Sequence, residues 1–164
     1  MTERFKLLVE EIKRNVGETV SLLLDDINVE SSLTVVRCDG GRMNISIDPS
    51  FYSNSHIRRH LFDEIIPTTL HAVHAKELIY VCTAWTAFLE DGLPNNVRED
   101  ELLARNHPER KESVCVYAFD ADDRYVEVAH IKRNLGKTAE LGPWRRYDGP
   151  SMTGLAANLW DALR

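Results

Sequence analysis

The chain has 164 residues, 43% hydrophobic and 28% charged, with 20 basic against 26 acidic side chains and a net charge of −6. That length suits one α+β domain over residues 1–164, which can bury about 70% of its unfolded surface without metal or disulfide. The acidic balance excludes a nonspecific binder of duplex DNA, which needs a basic face, and no apolar run reaches the roughly 20 residues of a membrane span.

The first stretch, TERFKLLVEEIKRNV, predicts a helix over Thr2–Val16. Phe5, Leu8, Val9, Ile12 and Val16 form its apolar stripe, Thr2 is its cap and Gly17 its stop. It is mixed in charge and lacks the apolar core of a signal peptide. A strand over Thr19–Leu24 and an acidic turn at Asp25 and Asp26 follow. Leu33–Cys38 and Arg42–Ile47 then read as a hairpin around Asp39-Gly40-Gly41. Met43, Ile45 and Ile47 alternate with Asn44, Ser46 and Asp48, so one face meets the core and the other meets water.

Ser55–Phe88 is the longest patterned stretch, a helix over 55–75 running into a strand over 76–88. Leu61, Phe62, Ile65, Ile66, Leu70 and Val73 fall within an arc of roughly 180°. His56, His60, Glu64, Pro67, His71 and His74 fall within about 80° on the opposite side. Ser55 is the expected N-cap. Pro67 removes one helical hydrogen bond, so the helix either bends there or splits in two. Splitting would take His71 and His74 out of register with His56 and His60.

A polar segment follows over Glu90–Glu112, with a short helix over Val97–Arg105 ended by His107-Pro108. Its length suggests a functional loop or lid. Ser113–Phe119 and Arg124–Lys132 form a second hairpin around the acidic turn Asp120–Asp123. The tail LGPWRRYDGP reads as irregular. Ser151 caps a last helix ending at Arg164, with Leu155, Leu159, Trp160 and Leu163 inward. Strands grouped in hairpins between helices predict a mainly antiparallel sheet, with the long central helix and the terminal helices packed on one face.

The chemistry-bearing motifs are few. His56, His60 and Glu64 have the spacing of metal ligands on one helix face. HIRRH, however, has arginines where a zinc hydrolase carries its glutamate. The same histidines could form a pH-sensitive surface, since unperturbed imidazoles charge together below about pH 6.5. A restriction-type nuclease needs an acid and then Glu-x-Lys. Asp120–Asp123 and Glu127 have that rhythm, but Ala129 stands in place of the lysine, and Glu109-Arg110-Lys111 follows a proline in a loop. The acidic turn lacks the length and glycine of a calcium loop. Cys38, Cys82 and Cys115 are widely spaced and odd in number, which predicts buried reduced thiols. A Cys–His pair would need Cys82 or Cys115 beside His107 or His130.

Trp144, Arg145, Arg146 and Tyr147 are of the residue types enriched in interface hot spots. Together with His60, His71 and His74 they form the expected interaction surface. The sequence therefore predicts a cytoplasmic, non-enzymatic regulatory protein without a cofactor, a small acidic inhibitor or adaptor. Its partner would be another protein, a second copy of itself included. The alternatives are a metal-dependent hydrolase or nuclease on the histidine face, and a binder of a small anion such as a nucleotide held by Arg58, Arg59, Arg145 and Arg146.

Overall fold

In the strand β3 (Ala75–Thr86), Glu77 to Cys82 are all buried, so both faces of this strand must be covered. A computed structural model describes residues 1–23, 29–86, 110–134, 136–148 and 155–164, and meets that demand with helices on both sides of one antiparallel sheet. The strands are β1 (Ser31–Arg37), β2 (Arg42–Ile47), β3, β4 (Lys111–Asp120), β5 (Arg124–Lys132), β6 (Glu140–Leu141) and β7 (Arg145–Asp148). They lie in the order β2-β1-β3-β4-β5-β6, and β7 also pairs with β5.

The helix α1 (Glu3–Leu22) covers one face, packing Phe5, Leu8, Val9, Val16 and Val20 on Ile79, Val81, Val114 and Val116. The opposite parity, Leu78, Tyr80, Cys82, Cys115 and Phe119, meets the central helix and α5 (Leu155–Asp161). The α+β class and the antiparallel hairpins are as the sequence predicts. The expectation of helices on one face is corrected: a central strand apolar in both phases needs a helix layer on each side.

α1 runs six residues past its expected end, through Gly17, so the strand expected over Thr19–Leu24 is absent from the described part of that span. Val16 and Val20 keep the four-residue helical spacing and are buried. Burying one valine stabilises by about 1.5–3 kcal/mol, more than the roughly 1 kcal/mol that glycine costs inside a helix.

The central helix begins at Asn54 and not Ser55, because the Asn54 side chain accepts from the backbone N–H of His56 and Ile57. A short helix α2 (Ser50–Ser53) precedes it. α3 (Ser55–His60) then passes without a break into a π turn (Leu61–Ile65) and α4 (Ile66–Ala72). Pro67 has no N–H, and its ring crowds the carbonyl four residues back. The π turn makes room by bonding the Ile66 N–H to the Leu61 carbonyl, five residues back. Pro67 therefore bends the helix without ending it.

One π turn takes up one residue more than an α turn and rotates everything after it by about 100°. Phe62, Ile66 and Leu70 are buried, while Ile65, expected inward, is exposed. Aromatic contacts tie this helix to the sheet. The rings of Phe62 and Tyr80 lie 5.7 Å apart edge to face, Tyr80 stacks on Tyr117 at 5.7 Å, and the Tyr52 hydroxyl meets that of Tyr80 at 2.9 Å. His74 closes the helix at φ 51°, donating its N–H to the His71 carbonyl and accepting from the Cys38 N–H.

Among the described residues no helix is long and apolar enough to cross a membrane. The expected loop helix over Val97–Arg105, the helix cap Ser151 and the Asp25-Asp26 turn lie outside the described residues.

Two substitutions check the helix ends. Gly17→Ala has open space around its new methyl group and should stabilise by about 1 kcal/mol. His74→Gly removes the cost of a Cβ in the left-handed region and should also gain about 1 kcal/mol. Urea melts should show both as a higher midpoint at unchanged slope.

Candidate functional site

The sequence-predicted histidines all reach the surface. His56, His60, His71 and His74 are exposed. His56 and His60 stay one turn apart on α3, and the His60 Nδ1 lies 3.0 Å from a Glu64 carboxylate oxygen. His71 and His74 lie beyond the π turn, which rotates them off that line. Among the described residues no group of three or more His, Cys, Asp or Glu side chains is placed to hold a metal ion.

The Trp144–Tyr147 segment is not an irregular loop. Arg145 to Asp148 form β7, in register with Tyr125 to Val128 of β5. Gly142-Pro143 ends the preceding stretch, and the strand then adds at the sheet margin, where half its backbone groups need no partner. Trp144 packs against the α1-side core, with the Lys13 ammonium 5.6 Å from its ring centroid. Arg146 lies 3.7 Å from the Tyr125 ring centroid and donates to Asp148 at 2.6 Å. Tyr147 packs on the opposite core.

Arg145 and Arg146 therefore point to opposite faces, and Arg58 and Arg59 stand on α3, so the four arginines do not converge. Beneath Trp144, buried Lys13 pairs with buried Glu127 and with Glu10. Burial pulls the Lys13 ammonium down, but the hydrogen bonds to Glu10 and Glu127 outweigh it, and its pKa is raised. A buried ion pair of this kind fixes the register of α1 on the sheet more than it adds net stability.

A groove of about 570 Å³ opens between α1 and the β1–β2 hairpin. Its α1 wall is mixed, apolar at Leu8, Ile12 and Val16 and polar at Asn15 and Thr19, and Val29 and Val81 also line it. Its floor is polar, from Ser32 and Thr34 of β1 and Asn44 of β2. Glu11, Glu30 and Arg42 stand at the rim, and Arg42 faces Glu11 at 3.7 Å. α1 sits over the middle of the sheet, and among the described residues no helix covers the hairpin's polar face. The alternation in β2 signals a wet face, but nothing local reveals that α1 walls it.

At the other end of the sheet, the Ser113 hydroxyl lies 2.8 Å from the His130 Nδ1 and 2.6 Å from the Thr86 hydroxyl. Cys115 sits opposite Cys82, not beside His130. Cys82 donates to Cys115, and this bond together with burial pushes the Cys82 thiol well up. Cys115 is lowered by accepting that bond, with burial opposing. The two thiols hold each other inside the core, as expected of structural cysteines, whereas Cys38, expected buried, is exposed. It follows β1 in the hairpin turn, past the last covered position.

The pKa of His130 is lowered, first by burial and then by the nearby Lys111 and Arg145 charges. A free imidazole titrates near 6.5, so between 6.5 and the lower folded value the unfolded chain binds more protons. Stability should therefore fall as pH drops through the range where a free imidazole charges, and His130→Gln should flatten that slope in thermal melts. No family model matches the chain, and no curated protein or solved structure shows significant similarity to it.

Proposed function

We propose that the protein is a non-enzymatic binding module, an adaptor or inhibitor, that takes an extended segment of another protein into the groove between α1 and the β1–β2 hairpin. The observation that carries this reading is the pairing of a helix wall with an apolar strip at Leu8, Ile12 and Val16 and a polar strand floor in one open groove of about 570 Å³. That volume lies within the few hundred to a thousand Å³ typical of binding sites. An extended segment alternates its side chains every residue, so it can lay apolar groups on Leu8 and Ile12 while presenting polar ones to Thr34 and Asn44.

The charge of the groove selects the partner. Glu11 and Glu30 stand at its rim, Arg42 already faces Glu11, and the whole chain carries −6. A neutral or basic segment fits that field, and a nucleotide or other anion does not. Trp144 supports this site indirectly, since with Lys13 it helps seat α1 on the sheet.

Selection of a random peptide display library against the full chain should enrich sequences that alternate apolar residues with lysine or arginine. Thr34→Arg, which fills the floor, and Ile12→Asp, which breaks the wall, should each weaken a selected peptide at least about tenfold, or about 1.4 kcal/mol. Binding measured by fluorescence anisotropy that ignores both substitutions would move the site elsewhere.

A further inference from the structure

The two margins of the sheet are treated differently. The β5 margin is covered by β6 and β7, whereas among the described residues no strand pairs with the outer side of β2. The Arg37 N–H bonds the Gly41 carbonyl at 2.9 Å, and β1 and β2 continue in the register Val36↔Arg42. Backbone bonding alternates along an antiparallel pair. Met43, Ile45 and Ile47 therefore spend their backbone groups on β1, and the N–H and C=O groups of Arg42, Asn44 and Ser46 point outward.

An antiparallel mate on that margin must bond through these same even-numbered positions. A second copy of β2 does so when the two-fold axis passes beside Ile45. Asn44 then faces Ser46 of the second copy, Arg42 faces Asp48, Met43 faces Ile47, and Ile45 faces Ile45. Every pair matches in kind: amide with hydroxyl, cation with carboxylate, apolar with apolar. Centring the axis on Asn44 instead sets Arg42 against Ser46 and loses the ion pair. Arg42 and Asp48 are both exposed in the single chain, where Arg42 stands 3.7 Å from Glu11 and the Asp48 carboxylate accepts from the Ser50 N–H at 2.8 Å.

We infer that this protein forms a two-fold dimer by antiparallel pairing of β2 with β2 of a second copy, centred on Ile45. An axis perpendicular to the sheet keeps both α1 helices on the same side. The two half-open grooves then share one floor, made of β1 and β2 from each copy, with an α1 wall on either side. The shared trough rests on the groove reading above, and the dimer itself does not.

The test is light scattering on the full wild-type chain, together with cross-linking in a Cys38→Ser background. The wild type should scatter as a dimer, and Ser46→Pro should weaken association roughly tenfold or more, because two symmetry-related donors are lost. Ile45→Cys should form an intermolecular disulfide readily on mild oxidation, since facing residues on the axis are close enough to bridge, whereas Asn44→Cys, offset from its own copy, should lag. A wild type that stays monomeric up to millimolar concentration overturns the dimer. Faster cross-linking at Asn44 than at Ile45 overturns the register. Peptide capture that survives in a monomer would leave the groove reading standing while the dimer fails, so the two are separable.

Discussion

Everything in this architecture depends on the double burial of β3 against β4. Leu78, Tyr80 and Cys82 face one way, and Ile79 and Val81 the other, and all five are buried. A strand like this cannot lie at a solvent face, so two helix layers are required and the sheet must continue on either side of it. The layers are unequal. The π-bent central helix and α5 cover one face with an aromatic row, while among the described residues α1 is the helix that covers the other. One helix cannot span a sheet of this width, and the groove lies over β1 and β2, beyond the reach of α1.

The elements that were readable from the sequence are those whose pattern is local. Met43, Ile45 and Ile47 alternate cleanly, and β2 lies where that alternation places it. β5 likewise spans the expected Arg124–Lys132. The errors came where tertiary burial overrode a local signal. Gly17 is a fair helix stop, yet Val20 on its far side finds the core and draws α1 onward. Gly142-Pro143 reads as a loop, yet β5 offered a free margin, and Arg145 to Asp148 paired with it.

The π turn is a subtler case. Pro67 announced a disturbance, but one inserted residue, which rotates His71 and His74 away from His56 and His60, has no signature in a plot of hydrophobic spacing. The groove was illegible for another reason. Ile12, Thr34, Asn44 and Val81 are unremarkable singly and distant in sequence, and only the packing of α1 brings them to one place. Trp144 and Arg146 of the expected interaction surface also pack within the fold, Trp144 against the α1-side core and Arg146 over the Tyr125 ring.

The unequal margins of the sheet bear on how far self-association can run. An exposed strand flank is normally a hazard, because each added chain offers a fresh flank to the next and growth never stops. Here the far flank is already occupied by the chain's own tail, through β6 and β7. Two molecules meeting flank to flank therefore use up the β2 edge on both, and among the described residues the other margin ends in the outer edges of β6 and β7, two and four residues long. The short C-terminal strands, which read as irregular in the sequence, thus leave at that margin edges too short to template a long ladder, one way an open sheet is kept from growing into a fibre.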